Sequence, residues 1–132
     1  MIRGRVALTL AALAAAWAAS IFWVSSQPNP FPYVPSAILS HDKVLHACAY
    51  ALLGFLVRGA LAGTRFGARA ALVLAVFAST AYGASDEWHQ SFVPNRTADV
   101  FDLAADALGA AAGAALAAVV LRRRGSRASI RA

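Results

Sequence analysis

Four long apolar stretches divide the chain, each bounded by proline, glycine or charge. Val6 to Val24 contains no charged residue and stops at the proline-rich stretch Gln27 to Pro35. A second stretch runs from about Val44 to Leu61. A third starts at Ala70, stays apolar to Gly83 and continues into a polar end near Gln90, and a fourth covers Asp99 to Leu121. A helix needs about 20 apolar residues to cross a bilayer, so the pattern predicts transmembrane helices over 6–24, 44–61, 70–90 and 99–121. Short connections favour antiparallel neighbours. The expected fold is all-α, a four-helix transmembrane bundle forming one domain over residues 1–132.

Composition points the same way. The chain is 60% hydrophobic and 14% charged, about half the charge of an ordinary soluble domain. A water-soluble protein of this size needs more polar surface than that to cover its core. The first span also has features of a secretory leader: Arg3 and Arg5 form a basic start, and Ala16-Trp17-Ala18 resembles a small-residue cleavage site. Its apolar run continues through Ile21, Phe22, Trp23 and Val24, longer than a usual leader core, so a retained span is expected.

Arginine placement orients the bundle. Arg3 and Arg5 precede the first span, Arg58, Arg65 and Arg69 flank the loop between spans two and three, and Arg122, Arg123, Arg124, Arg127 and Arg131 follow the last. Lys43 and Arg96 are the cations at the other end. By the positive-inside rule, both termini are expected in the cytoplasm, and the expected location is the plasma (inner) membrane. Arg58, one turn inside its span, is expected to snorkel to the cytoplasmic interface, with Trp23, Phe31, Tyr33 and Trp88 in the opposite aromatic belt. The net charge of +6 therefore reads as membrane anchoring, with anionic headgroups near the tail. Nucleic acid is excluded as a partner, because no stacking aromatics interleave the arginines. The single cysteine, Cys48, forms no internal disulfide and is expected to pack as a small hydrophobe.

The six acidic residues, Asp42, Asp86, Glu87, Asp99, Asp102 and Asp106, all fall at the expected outer end, as do His41, His46 and His89. Orientation alone does not require this, since acids weakly determine topology. Asp42, His46 and Tyr50 are spaced to share one stripe of the second span. Asp86 and Gln90 share a face of the third, with Glu87 beside them. Asp99, Asp102 and Asp106 follow an i, i+3, i+7 pattern that continues through Gly109 and Gly113, a small-residue surface suited to close helix approach. That surface also suggests a homo-oligomer. An ionised carboxylate near mid-membrane costs about 2.5 to 3.5 kcal/mol, so the acids are expected to face the bundle. Compensation would come from Lys43, Arg96, a protonated histidine, shared protons or a cation. Asp42 and Asp99 sit where carboxylates cap helix starts, a structural alternative for those two.

Three ordered elements resemble the VanZ-like family of small integral membrane proteins. Asp42-Lys43-Val44-Leu45-His46, with Tyr50 a turn later, is similar to its D-K-x-x-H…Y element. Ser85 to Arg96 resembles its acidic-Glu-x-x-Gln…Arg element, and Asp102 to Gly109 its final D-x-x-x-N-x-x-G element. Many members carry asparagine where this chain has Asp106. The resemblance implies antibiotic resistance of the kind for which the family is named, reduced susceptibility to the lipoglycopeptide teicoplanin.

The leading expectation is a cell-envelope binding role. A ligand site of Asp42, Lys43, His46, Tyr50, Asp86, Glu87, Gln90, Arg96, Asp102 and Asp106 would engage a lipid headgroup, a cell-wall precursor or a lipoglycopeptide, with Lys43 and Arg96 on phosphate. An alternative is an enzyme acting on polyprenyl-phosphate lipids, with His46 or Glu87 as general base. No cofactor is expected, although a divalent cation held by Asp86, Glu87, Asp102 and Asp106 would suit hard-metal chemistry. Proton or ion transport is the third alternative. It is disfavoured because Leu8 to Ala15, Leu72 to Ala78 and Ala114 to Val120 offer no polar path through the other half.

Overall fold

The computed structural model describes residues 2–33 and 42–130. His41 and Arg131 lie outside the described residues. Four helices account for most of the rest: α1 (Ile2–Ser25), α2 (Asp42–Ala60), α3 (Ala68–Gln90) and α4 (Val100–Ile130). A 3-10 turn over Leu61–Gly63 leads from α2 towards α3. Each helix contains a stretch long and apolar enough to cross a membrane, the last within Val100–Arg123. α4 runs nine residues beyond the expected end at 121, because its continuation is rich in arginine, a good helix former, and contains no proline.

The bundle is packed in the manner of a membrane protein, with small residues inside and large ones outside. Ala71, Ala75, Ala110, Ala114 and Ala117 are buried, whereas Leu8, Val73, Phe77, Leu108 and Leu116 are exposed. Where lipid replaces water, helices gain little by hiding apolar groups from one another, and close backbone approach supplies the attraction instead. α2 is the central element, packing most extensively on α4 and also on α1 and α3.

Three glycines set the α2–α4 seam. A Cβ on Gly54 would strike the carbonyl oxygen of Ala110, one on Gly109 that of Ala47, and one on Gly113 that of Ala51. The glycine face of α4 is therefore covered by α2, and the surface on which self-association was expected is used within the chain.

α1 is held at the edge by specific polar contacts. Trp17 Nε1 donates to Ala49 O at 2.8 Å, and Tyr82 OH donates to Ala18 O at 2.6 Å. The Ala16-Trp17-Ala18 segment is thus part of the helix packing.

Two side chains depart from expectation. Arg58 does not snorkel outward: it is 5% exposed and lies among all four helices. Its position on α2 points it inward, because Gly54 and Tyr50, one and two turns before it, belong to the same buried face. Cys48 is exposed and unpaired, at the rim of a cavity and outside the packed core.

Candidate functional site

The polar ends of α2, α3 and α4 meet at one end of the bundle, where the aromatic side chains Trp23, Tyr33 and Trp88 are exposed. α4 starts here because Asp99 caps it: its Oδ1 accepts the Phe101 N–H at 2.8 Å. Glu87, at the end of α3, accepts the Asp99 N–H on Oε2 at 2.9 Å. One acid thus caps the helix and a second fastens the cap to α3.

The connecting loop turns at Val93-Pro94-Asn95-Arg96. The Arg96 N–H donates to Val93 O at 3.1 Å, and Asn95 has φ 63°. Proline followed by a residue of positive φ suits a type II turn, and asparagine tolerates that backbone. The turn brings the Arg96 guanidinium back over the end of α1, where Nη2 reaches Val24 O at 3.5 Å.

The polar residues form two linked layers. The first lies between α2 and α4. Lys43 Nζ donates to Asp99 Oδ2 and Asp102 Oδ1, both at 2.9 Å, with Asp42 Oδ2 at 3.7 Å. Beneath it, His46 Nδ1 lies 2.9 Å from Asp106 Oδ1, and His46 Nε2 lies 3.9 Å from Asp102 Oδ2. Asp106 is fully buried, and its Oδ2 has no hydrogen-bond partner among the described residues. It fits because Gly83 has no side chain: a Cβ there would meet Asp106 Oδ2 at 2.9 Å and the Tyr50 ring at 3.2 Å.

The second layer faces a cavity of about 760 Å³ between α1, α2 and the loops. Its lining combines the polar groups of His46, Tyr50, Asp86, Gln90 and Arg96 with apolar ones including Trp17, Val24 and Phe31. Asp86 Oδ2 accepts from Ser25 Oγ at 2.7 Å and from Gln90 Nε2 at 3.1 Å. Gln90 Nε2 also lies 3.3 Å from Glu87 Oε1. Tyr50 OH, Asp86 Oδ1 and Arg96 Nε are buried without a hydrogen-bond partner among the described residues. His46 and Gln90 join the layers, since each touches the cavity and an acid behind it.

All ten expected ligand-site residues lie at this end, but they do not form one ring. Asp42, His46, Tyr50, Asp86, Gln90 and Arg96 line the cavity, whereas Lys43, Glu87, Asp102 and Asp106 stand behind it. The expected metal quartet is also rearranged. His46, Glu87 and Asp106 offer ligand atoms within 4.8 Å of one another. Asp86 is instead turned towards Ser25, and Asp102 towards Lys43. His89 is engaged in packing, stacked on Phe22 at 4.5 Å with Nε2 3.1 Å from Ser26 Oγ. Two polar residues escaped the sequence analysis. Ser25 ends an apolar run and is indistinguishable there from the start of a loop. Buried Ser79 lies one turn from Gly83, and a lone serine in a span carries no directional signal.

Asp99 lies outside the membrane-spanning segments. The Phe101 N–H, then Lys43, hold its carboxyl below the ordinary aspartate range. A depressed folded-state pKa stabilises the protein above the unfolded value, about 3.9, and that stability is lost as pH falls through the folded value. Asp99→Asn keeps a capping oxygen but loses the charge. Wild type is therefore expected to melt above this variant at neutral pH, with the gap closing below about pH 4. Parallel melting curves of both proteins from pH 7 to 3 check this, and a pH-independent gap would rule it out.

Four membrane-length helices that collect their acids and histidines at one end define a multi-pass membrane protein with a polar end-site. The chain belongs to the VanZ/LLP1 family, whose model matches residues 8–121. The match contains all three motif elements and all ten site residues. No curated protein and no solved structure matches the chain.

Proposed function

We propose that the polar end faces away from the cytoplasm in a cell-envelope membrane and that its cavity binds the headgroup of an amphiphile: a lipid, a cell-wall precursor or a lipoglycopeptide. The observation that carries this is the cavity lining. Apolar side chains share it with buried donors and acceptors on Arg96, Tyr50 and Asp86 that have no partner among the described residues. Buried polar groups are normally satisfied, and an amphiphile supplies both a chain for the apolar lining and polar atoms for these groups. Arg96, with its forked donors, suits a phosphate or carboxylate. Lys43 is already held by Asp99 and Asp102, which leaves Arg96 as the cation of the cavity among the described residues. In nanodiscs, Arg96→Gln is expected to weaken binding of a polyprenyl-phosphate or precursor headgroup by about tenfold, the loss of one charge-assisted contact. Absence of any such affinity that depends on Arg96 would remove this function. Antibiotic resistance is a proposal that depends on a lipoglycopeptide being among the ligands.

The clustering of His46, Glu87 and Asp106 within 4.8 Å favours a second reading, an enzyme acting on phosphorylated polyprenyl lipids. A carboxylate at Asp106 Oδ1 accepts from His46 Nδ1–H, leaving Nε2 available as a base, the same division of labour as in a histidine oriented by an acid. A divalent cation at this trio would instead act as a Lewis acid. Turnover of radiolabelled polyprenyl phosphate that is lost in Glu87→Gln is the result this reading requires.

A further inference from the structure

The opposite end of the bundle contains a second cavity, of about 780 Å³, open to one side and lined by residues of all four helices. Its walls are apolar, with Val6, Leu10, Phe55 and Phe66 among them, except for two arginines, Arg58 and Arg122. Arg58 is 5% exposed, and its Nε and Nη1 have no hydrogen-bond partner among the described residues. A guanidinium keeps its charge at any physiological pH, so it cannot escape burial by losing a proton. No aspartate or glutamate is within reach, because all six lie at the far end of the bundle, beginning with Asp42 at the start of α2 and ending with Asp106 in α4. The nearest charged lining group is a second cation. A buried charge requires a counter-charge with hydrogen bonds, and none faces Arg58 among the described residues.

We propose that this cavity is a binding site for an anionic phospholipid, with its phosphodiester on Arg58 and Arg122 and an acyl chain along the apolar walls. Charge complementarity selects an anion, and Arg58's fork of N–H donors matches two phosphate oxygens. The volume selects a lipid over a free ion, since a single phosphate leaves most of the apolar lining uncovered. The exposed arginines Arg65 and Arg69 at this end draw acidic lipids to the same rim. Arg58 is then the residue that turns general attraction into a defined site. This site is independent of the cavity at the polar end.

Native mass spectrometry of the full chain, released from detergent with phosphatidylglycerol or phosphatidylcholine of equal chain length, tests the proposal. Wild type is expected to retain one phosphatidylglycerol about tenfold more strongly than phosphatidylcholine. Arg58→Gln should abolish that preference and Arg122→Gln should reduce it, while Arg123→Gln, outside the cavity lining, should leave it intact. Thermal melting supplies a readout that separates binding from folding. In lipid-free detergent Arg58→Gln should melt above wild type, because an unpaired buried charge is gone; with phosphatidylglycerol the order should reverse. Equal retention of the two lipids, or a preference unchanged in Arg58→Gln, overturns the proposal. Inorganic phosphate that displaces phosphatidylglycerol and stabilises wild type equally well also overturns it, by making the ligand a free anion.

Discussion

Replacing Gly113 by valine is expected to prevent stable folding. A Cβ at this position falls on the carbonyl oxygen of Ala51 in the facing helix, with the Ala51 carbonyl carbon and Cα also within 2.9 Å. The obstruction is backbone, which cannot rotate aside as a side chain can, so α2 and α4 must separate along their most extensive contact. Overpacking a well-fitted interior ordinarily costs about 1 to 3 kcal/mol, and a clash with main chain is expected to exceed the upper figure. Because Asp102 and Asp106 sit on the same face of α4 as Gly109 and Gly113, separation would also disperse the Lys43 and His46 contacts. The measurement is SDS-induced unfolding in mild detergent, followed by the fluorescence of the three tryptophans. Gly4→Ala provides the control, since nothing lies within 4 Å of its added Cβ. A Gly113→Val protein as stable as wild type would refute the seam.

The second large effect concerns the buried pair. His46→Ala leaves Asp106, which is fully buried, with neither carboxylate oxygen engaged, since Oδ1 is bonded by His46 and Oδ2 has no partner among the described residues. Removing one member of a buried charged pair typically costs about 3 to 5 kcal/mol, chiefly because the other is stranded. Asp106→Asn should cost less: it retains a hydrogen-bonding group of the same shape and removes the charge that requires compensation. The double variant His46→Ala/Asp106→Asn is therefore expected to be more stable than His46→Ala alone. That ordering is opposite to additivity and checks the direct interaction. If the two losses simply add, His46 and Asp106 are not coupled, and both the acid/base and the cation chemistry proposed for this trio lose their basis.

These two expectations rest on different physical grounds. The seam is shape: small residues that let two backbones touch. The pair is charge: an acid tolerated at depth only because a specific ring nitrogen faces it. Together they explain why α2 and α4 form the most extensively packed half of the site. The cavity, bounded by α1 and the turn at Val93-Pro94-Asn95-Arg96, rests on fewer contacts.

How much of this was legible beforehand depended on the range of the physics involved. Span number, approximate span limits and the gathering of acids at one end follow from one-dimensional patterns, because a bilayer demands long apolar runs and penalises each misplaced charge. The stripe Asp102, Asp106, Gly109 and Gly113 was legible for a similar reason: helical periodicity alone places these residues on one face, and acids and glycines both need a neighbouring helix. The capping role of Asp99 was legible from its position at a helix start.

Tertiary structure alone decided which helix meets which face. Periodicity says that Gly109 and Gly113 need a close neighbour, but not that α2 would supply it and leave that face closed to a second copy. It places Asp86 and Glu87 side by side, but adjacent helical residues diverge by about 100° (3.6 residues per turn), which sends Asp86 to Ser25 and the cavity and Glu87 to the start of α4. It puts Arg58 one turn from an interface, where snorkelling outward and burial inward are equally open to a long side chain. Packing chose the inward direction, and an arginine without a carboxylate in reach among the described residues is the consequence.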